Sequence, residues 1–170
     1  MKNFLLKKSL GICLCMLACV STNSFAQTCN SSVPATTPTS RFTILGNGSE
    51  VKDNQTGLIW QRCTIGQTWT GTTCAGAAVK INWRDGLKSA KNLGNGYRMP
   101  NIRELRSIVE RQCYETAVNS TIFPNTVSDG YWTSTPSSTT SQEGIKIIEF
   151  ETGMPDAFLL NNLMFVRAVR

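Results

Sequence analysis

Residues 96–109, with the sequence GYRMPNIRELRSIV, join the end of one helix to the beginning of another. Pro100 disfavours a helix running in from upstream, and Asn101 followed three residues later by Glu104 is a capping box in its asparagine variant. Apolar residues then recur at helical spacing, and the predicted buried face consists of Ile102, Leu105, Ile108 and Val109. The segment predicts a capped helix packed on a core, with Arg98 paired to Glu104.

A second amphipathic pattern lies upstream. Asn82 is the predicted N-terminal cap of this helix, and Gly94 and Gly96 end it. Its apolar face, at positions i, i+4 and i+7, is formed by Trp83, Leu87 and Ala90. The two helices are therefore expected to lie consecutively in the middle of the chain.

Short apolar segments bounded by turn residues lie on both sides of the helices. The predicted strands cover residues 42–45, 50–52, 58–62, 131–135, 145–150 and 164–170. In the last strand, alternation places Phe165, Ala168 and the valines on one face, with Arg167 and Arg170 on the other. Strands, two helices and then strands is the order of an α+β fold with an antiparallel sheet.

The first 26 residues have the parts of a secretory signal peptide. Three lysines flank the start of an apolar run at residues 9–20, and Ser-Phe-Ala at 24–26 favours cleavage before Gln27. The apolar run is too short for a membrane helix, which needs roughly 20 residues. An uncleaved anchor and a lipoprotein modified at Cys19 are the alternatives.

The remaining chain is expected to consist of an arm, residues 27–40, and one domain, residues 41–170. The arm is rich in Ser, Thr and Pro, so we expect it to be extended and tied to the domain only through Cys29. From Gln27 onward, 14 Lys and Arg stand against 11 Asp and Glu, a net charge of +3. This charge is too small to indicate a nucleic acid partner, and no second apolar stretch of membrane length follows.

Four cysteines follow the signal segment, which in an exported chain indicates two disulfides. Three pairings are possible. We favour Cys63–Cys74, which closes a polar loop rich in Gly and Thr, together with Cys29–Cys113. A zinc site is the alternative, and the lack of histidine and of Cys-x-x-Cys spacing argues against it. We expect no metal and no cofactor.

Few residues in the sequence are suited to catalysis. Without histidine, Ser–His and Cys–His nucleophile pairs are excluded. Glu149, Glu151 and Asp156, near a predicted loop, could supply a carboxylate pair for glycoside hydrolysis, but solvated surface explains them equally well. Calcium binding around residues 99–101 is disfavoured because the Met99 side chain has no oxygen ligand and Asn101 serves as a helix cap. We predict that the protein is not an enzyme.

Basic residues on the two helices are the candidate ligand-binding residues. Arg84, Lys88 and Lys91 recur at i, i+4 and i+7 and form one predicted stripe, whereas Arg103 and Arg106 lie i, i+3 on the second helix. Guanidinium groups suit sulfate and carboxylate ligands. Ordinary solubilising surface is the alternative explanation, because helices usually carry charge on their polar face.

Four tryptophans are the remaining large side chains. Trp69 lies among Gly and Thr residues in the Cys63–Cys74 loop and is the one expected to be exposed. An exposed indole can stack on a sugar ring, and folding back over the core is the alternative. The tryptophans expected in the core are Trp60, Trp83 and Trp132.

An ordered set of motifs resembles one family of bacterial exported domains. The motifs are VKDNQTGLIW at 51–60, Trp83, GYRMPNIRELRSIV at 96–109, FPNT at 123–126, YWTST at 131–135 and VRAVR at 166–170. The set is similar to the family named for the C-terminal domain of the Legionella collagen-like adhesin (Lcl), over nearly all of residues 41–170. The resemblance implies a C-type-lectin-like fold, with two helices against a twisted antiparallel sheet.

For function, the resemblance implies recognition of sulfated polysaccharide by a domain that is often a homo-oligomer. The sequence has no Gly-X-Y repeat, so the stalk that clusters adhesin heads is not expected here. The formylglycine-generating enzymes that share the fold use cysteine thiols late in the chain, and no cysteine follows Cys113. We therefore expect an adhesin-like module for anionic polysaccharide, in the periplasm, at the cell surface or secreted. A structural or protein-interaction component of an envelope assembly is the alternative.

Overall fold

The computed structural model describes residues 27–138 and 144–170 and has a mixed α+β architecture. The predicted signal peptide and Cys19 lie outside these residues. In chain order the elements are β1 (Thr28–Cys29), β2 (Phe42–Leu45), β3 (Glu50–Asp53), β4 (Ile59–Gln61), β5 (Thr68–Trp69), β6 (Cys74–Ala75), α1 (Trp83–Asn92), α2 (Ile102–Ser107), β7 (Cys113–Tyr114), β8 (Gly130–Ser137), β9 (Gly144–Glu149) and β10 (Met154–Leu159).

Antiparallel pairing joins these strands into several small sheets. Two sheets have three strands each, in the orders β2-β3-β4 and β10-β9-β8. Two further sheets have two strands each: β1 pairs with β7, and β5 pairs with β6. The predicted α+β class is confirmed, although several small sheets replace the single twisted sheet that we expected. The C-type-lectin-like arrangement stays a prediction.

The C-terminal segment connects the first sheet to the rest of the molecule. Ile59 and Arg170 exchange backbone hydrogen bonds of 2.8 and 2.9 Å, and Arg98 and Val169 exchange two of 2.9 Å. Upstream in the same segment, Met164 and Phe165 bridge to other partners. The predicted continuous strand over 164–170 is therefore wrong, because the partner changes too often along the segment for a ladder to form.

β10 is a strand that the sequence did not predict. It pairs with β9 from Met154 opposite Glu149 to Leu159 opposite Gly144, so Asp156 lies within a strand. At this edge of the sheet Met154, Pro155 and Asp156 are all exposed. The alternation of apolar and polar residues that identifies a half-buried strand is consequently absent.

α1 begins as predicted. The Asn82 Oδ1 accepts a hydrogen bond from the backbone N–H of Asp85 at 3.0 Å, which satisfies one of the free donors of the first turn. Midway along the helix, a Cβ on Gly86 would stand 2.8 Å from the Met99 side chain and 3.0 Å from that of Val166. The absence of a side chain at this position is what lets α1 approach the core closely.

α2 begins with the predicted capping box. The Asn101 Oδ1 accepts from the Glu104 N–H at 2.9 Å, and the Glu104 carboxylate accepts from the Asn101 N–H at 2.8 Å. Arg98 donates to both carboxylate oxygens of Glu104 at 2.7 Å, as predicted, and this pair lowers the pKa of Glu104. On the predicted apolar face Leu105, Ile108 and Val109 are buried and Ile102 is partly buried. Neither α1 nor α2, the α-helices of the described residues, has the length and apolar character to cross a bilayer.

Two apolar clusters fill the interior. Trp60 belongs to one cluster and Trp132 to the other, and neither side chain reaches solvent. Trp83 is partly buried against the second cluster and donates its indole N–H to the carbonyl of Thr133 at 2.9 Å. Trp60 and Trp132 therefore lie in the core as predicted, whereas Trp83 packs against the core and is only partly buried.

The burial of Arg167 contradicts the alternation predicted for the last segment, which placed this residue on the face opposite the apolar side chains. Arg167 has no solvent exposure. Its guanidinium donates to the carbonyls of Gln61 and Arg62 and to the hydroxyl of Thr126, and it lies 4.8 Å from the ring centre of Phe123. Burial lowers the pKa of Arg167 to about 10. Since the segment changes partner at each step, the face on which a residue falls is set by the packing around it and not by alternation.

Both favoured disulfides are present, joining Cys29 to Cys113 and Cys63 to Cys74. The expectation that the arm is tied only through Cys29 is wrong. The buried carboxylate of Glu110 accepts hydrogen bonds from the backbone N–H groups of Thr36 and Thr37 at 2.8 and 2.7 Å, and from both hydroxyls. We call the contact between residues 27–40 and residues 109–121 the arm seam. It forms because a buried carboxylate needs donors, and the arm supplies them.

Candidate functional site

The basic stripe on α1 faces solvent. Arg84, Lys88 and Lys91 are all exposed, and helical geometry places them on one side of α1. Lys88 lies 3.3 Å from the carboxylate of Asp85, but both side chains are more than half exposed, so this pair is weak. Within residues 27–138 and 144–170, Arg84 and Lys91 form no ion pair. Most of the charge of the stripe is therefore uncompensated.

Two clefts lie at the two ends of the stripe. Arg84 and Lys88 line a cleft of about 500 Å³ together with Asn82 and Asn161, which we call the Arg84 cleft. Lys91 lines a second cleft of about 670 Å³, the Lys91 cleft, whose walls include Leu87 and the Arg98–Glu104 pair. Because the stripe is continuous along one helix, an extended ligand lying on α1 would reach both clefts.

Two arginines, Arg103 and Arg106, were predicted as a basic pair on α2, and the structure places one of them, Arg106, beside other cations. Arg103 and Arg106 are both exposed, and Arg106 lines a cleft that Arg103 does not line. That cleft, of about 560 Å³, is the arginine cleft, and its other cations are Arg41 and Arg111. The α1 and α2 residues thus line different depressions of the surface and do not form a single patch.

Arg41 and Arg111 were missed by the sequence analysis. Arg41 precedes β2, and the antiparallel register that pairs Phe42 with Asp53 brings its guanidinium to the Asp53 carboxylate at 2.5 and 2.7 Å. A hairpin prediction over residues 42–53 could have found this pair. Arg111 follows α2 in an irregular segment, and no periodic pattern marks it.

Trp69 folds back over the domain, which is the alternative that the sequence left open. Its ring lies 4.3 Å from the guanidinium of Arg62, and its indole N–H donates to the carbonyl of Asn47 at 3.1 Å. Arg62 is itself buried and donates to the carbonyls of Gly48 and Ile122. One face of the indole is therefore occupied by a cation, and its edge is occupied by a hydrogen bond.

The carboxylates that could have supported hydrolysis lie around β9 and β10. Burial raises the pKa of Glu149, and the nearby carboxylates of Asp129, Asp156 and Glu151 raise it further. Lys80 lies 2.7 Å from Asp129 and partly offsets this crowding of negative charge. Across the described parts of the chain, no three His, Cys, Asp or Glu side chains are placed to hold a metal ion.

Comparison with known protein families gives a match that covers most of the chain. Residues 49–170, well over half of the chain, match the Lcl C-terminal domain. No curated protein matches the chain. The matched segment contains α1, α2, the Cys63–Cys74 disulfide and both three-stranded sheets except for β2. The chain therefore belongs to the Lcl C-terminal domain family.

Proposed function

We propose that this protein is an exported, non-catalytic binding module that recognises anionic, sulfated polysaccharide along the exposed face of α1. Export is supported by the two disulfides, which are typical of oxidising compartments. Membership of the Lcl C-terminal domain family supports a binding role. The α1 stripe supplies the cations, and the flanking Arg84 and Lys91 clefts supply the shape.

The observation that carries this proposal is that the cations of α1 have no strong partner within the described fold, although the helix dipole favours Lys91 in the last turn. Arg84 lies in the first turn, where the helix dipole disfavours a cation by about 0.3–1 kcal/mol. Neither Arg84 nor Lys91 has an ion-pair partner in the described part of the chain, and the Lys88–Asp85 pair is exposed. Exposed cations without a strong partner remain available for an external anion.

The dimensions of the stripe suit a chain-like ligand. Arg84 and Lys91 are seven residues apart, which is about 10 Å along a helix axis. A polysaccharide lying along α1 would contact Arg84 and Lys88 with one segment and Lys91 with the next. Attraction between exposed charges is screened by salt, with a Debye length of about 10 Å at 0.1 M and about 3 Å at 1 M. A single domain would bind weakly, and clustering of several domains would raise the avidity.

The experiment is retention on a heparin-like column across a salt gradient. We expect the wild type to be retained at low salt, and the Arg84→Ser/Lys88→Ser/Lys91→Ser variant to lose that retention. The matched control is Lys52→Ser/Arg103→Ser/Lys146→Ser, which removes the same formal charge outside α1 and outside the arginine cleft. Equal loss in both variants would show that only net charge matters, and an unretained wild type would refute the proposal.

One observation favours the second candidate, a protein-interaction role in an envelope assembly. Met154, Leu159 and Leu163, on and just after the edge strand β10, are 64%, 41% and 55% exposed. Exposed apolar side chains along a sheet edge are typical of surfaces that contact other proteins. If the wild type fails to bind any sulfated polymer, this role becomes the leading candidate. Its test is a Met154→Ser/Leu163→Ser variant that loses a co-purifying envelope protein.

A further inference from the structure

We propose that the arginine cleft is a second anion site, which binds the tetrahedral sulfate ester of a sugar and is completed by docking of the arm. The choice of a sugar as the carrier rests on the proposed function. The site itself rests on the geometry of the cleft, which no part of the α1 stripe lines. The two sites can therefore succeed or fail independently.

Three donor side chains reach this cleft from three segments. Gln55 lies in the turn after β3, Arg106 lies in the last turn of α2, and Arg111 lies between α2 and β7. All three are exposed, and none of the three side chains has a hydrogen bond or an ion pair to the described residues. Donors contributed to one cleft by three separate segments suit an anion with oxygens on several sides. A planar carboxylate, with two oxygens on one side, would use them less fully.

Arg41 forms a wall of the cleft, and its charge is already compensated. Its Nε and Nη2 donate to the carboxylate of Asp53 at 2.7 and 2.5 Å, and its side chain is only 11% exposed. Arg106 and Arg111 supply the two charges that remain. A sulfate ester carries one negative charge and several acceptor oxygens, so two guanidinium groups can both donate to it.

The arm holds two of the cleft arginines in position through one residue. The carbonyl of Thr36 accepts from Arg41 Nη1 at 3.2 Å, and its hydroxyl accepts from the backbone N–H of Arg111 at 2.9 Å. Thr36 is fixed by Glu110, and the arm is fixed by the Cys29–Cys113 disulfide. Undocking the arm would therefore remove one wall and release Arg111. The arm precedes residue 49, where the match to the family begins.

The test is an NMR titration of the oxidised protein, produced from the full chain, with glucose 6-sulfate. We expect chemical-shift changes at Gln55, Arg106 and Arg111, and affinity for glucuronate that is several-fold weaker. Arg106→Gln/Arg111→Gln should weaken binding about tenfold or more, because each guanidinium contributes charge-assisted hydrogen bonds. The matched control, Lys52→Gln/Arg103→Gln, removes the same charge outside the cleft and should bind as the wild type does.

Other outcomes overturn the proposal in defined ways. Shift changes confined to α1, or equal affinity for glucuronate, would contradict a tetrahedral-anion site in this cleft. Tighter binding of glucose 6-phosphate than of glucose 6-sulfate would keep the tetrahedral anion but refute the sulfate ester. The Arg84→Ser/Lys88→Ser/Lys91→Ser variant should bind glucose 6-sulfate in this cleft with unchanged affinity. Failure of the proposal for α1 can therefore be distinguished from failure of the proposal for this cleft.

The role of the arm has its own pair of variants. Cys29→Ser/Cys113→Ser should lose affinity for glucose 6-sulfate, because it releases the arm whose Thr36 positions Arg111. Cys63→Ser/Cys74→Ser, which removes the other disulfide, should retain it. If the first variant does not fold, Thr36→Val removes the hydroxyl that orders Arg111 and should weaken binding several-fold. Unchanged affinity in Thr36→Val would refute the contribution of the arm.

Discussion

The arm seam and the exposed face of α1 both carry charged residues, but they hold them in opposite ways. At the seam, Glu110 is 4% exposed and accepts hydrogen bonds from Thr36, Thr37 and Gln112. On α1, Arg84 is exposed and has no ion-pair partner within residues 27–138 and 144–170. The difference separates a charge that holds the fold together from one that is available to a ligand.

This contrast makes stability and binding separable. A change at the seam alters contacts that exist in the free protein, so it should appear in the free energy of unfolding. A change on α1 removes charges that water already solvates, so it should appear only when an anion is added. The predictions below test that separation, beginning with the largest expected effect.

Removing the Cys29–Cys113 disulfide should have the largest effect on stability. By loop-closure entropy, Cys29→Ser/Cys113→Ser should lower the free energy of unfolding by about 4–5 kcal/mol, and Cys63→Ser/Cys74→Ser by about 3 kcal/mol. The order follows from sequence separations of 84 and 11 residues. Urea unfolding of the two variants measures both values. The reverse order would mean that the arm contributes less to the fold than its contacts indicate.

Glu110→Gln should lower the free energy of unfolding by about 2–3 kcal/mol, because hydrogen bonds to a charged group are lost and an amide donor then faces N–H donors. Glu115→Gln is the control at the same seam, because Glu115 accepts one exposed side-chain hydrogen bond from Thr28, at 2.8 Å. We expect this control to cost less than about 1 kcal/mol. Equal effects in urea unfolding would contradict the special role assigned to Glu110.

Acid should weaken the seam before it affects α1. Burial raises the pKa of Glu110, but the hydrogen bonds from Thr36, Gln112 and Thr37 outweigh it, so the pKa lies below its usual 4.5. Folding therefore favours the charged form. The stabilisation is present above the pKa of the unfolded chain and is lost as pH falls from about 4.5 through the lower folded value. Between pH 5 and pH 3, Glu110→Gln should lose less stability than the wild type does, because it has no carboxylate to protonate. Identical pH profiles would rule this coupling out.

The smallest effect on stability is expected on α1. Arg84→Ser/Lys88→Ser/Lys91→Ser should change the free energy of unfolding by less than about 0.5 kcal/mol, since exposed charges contribute little. Arg84→Ser alone should stabilise slightly, because a cation leaves the first turn of a helix. Thermal and urea unfolding measure both variants. A loss above about 1 kcal/mol would mean that the stripe supports the fold and is not free for a ligand.

The elements that were predicted correctly are those with local signals. The two helix starts at Asn82 and Asn101 need only side chains within three residues, and the Arg98–Glu104 pair spans six. β10 was missed and the continuous strand predicted over 164–170 was wrong, for two different reasons. β10 pairs with the neighbouring strand β9 in a hairpin, but it is an edge strand whose exposed residues show no alternation. The segment 164–170 pairs instead with residues that are distant in sequence and change along its length.

The sequence by itself determined the α+β class, both helix caps and the core tryptophans, because these follow from periodicity, capping chemistry and burial of apolar area. The favoured pairing of the four cysteines followed from the composition of one loop. The tertiary structure decided that Arg167 is buried among carbonyls, that Glu110 holds the arm, and that Arg106 shares a cleft with Arg41 and Arg111. Each of these depends on partners up to 106 residues away. A basic or acidic residue has the same local pattern whether its partner is water or a distant backbone group, and only the folded chain distinguishes the two.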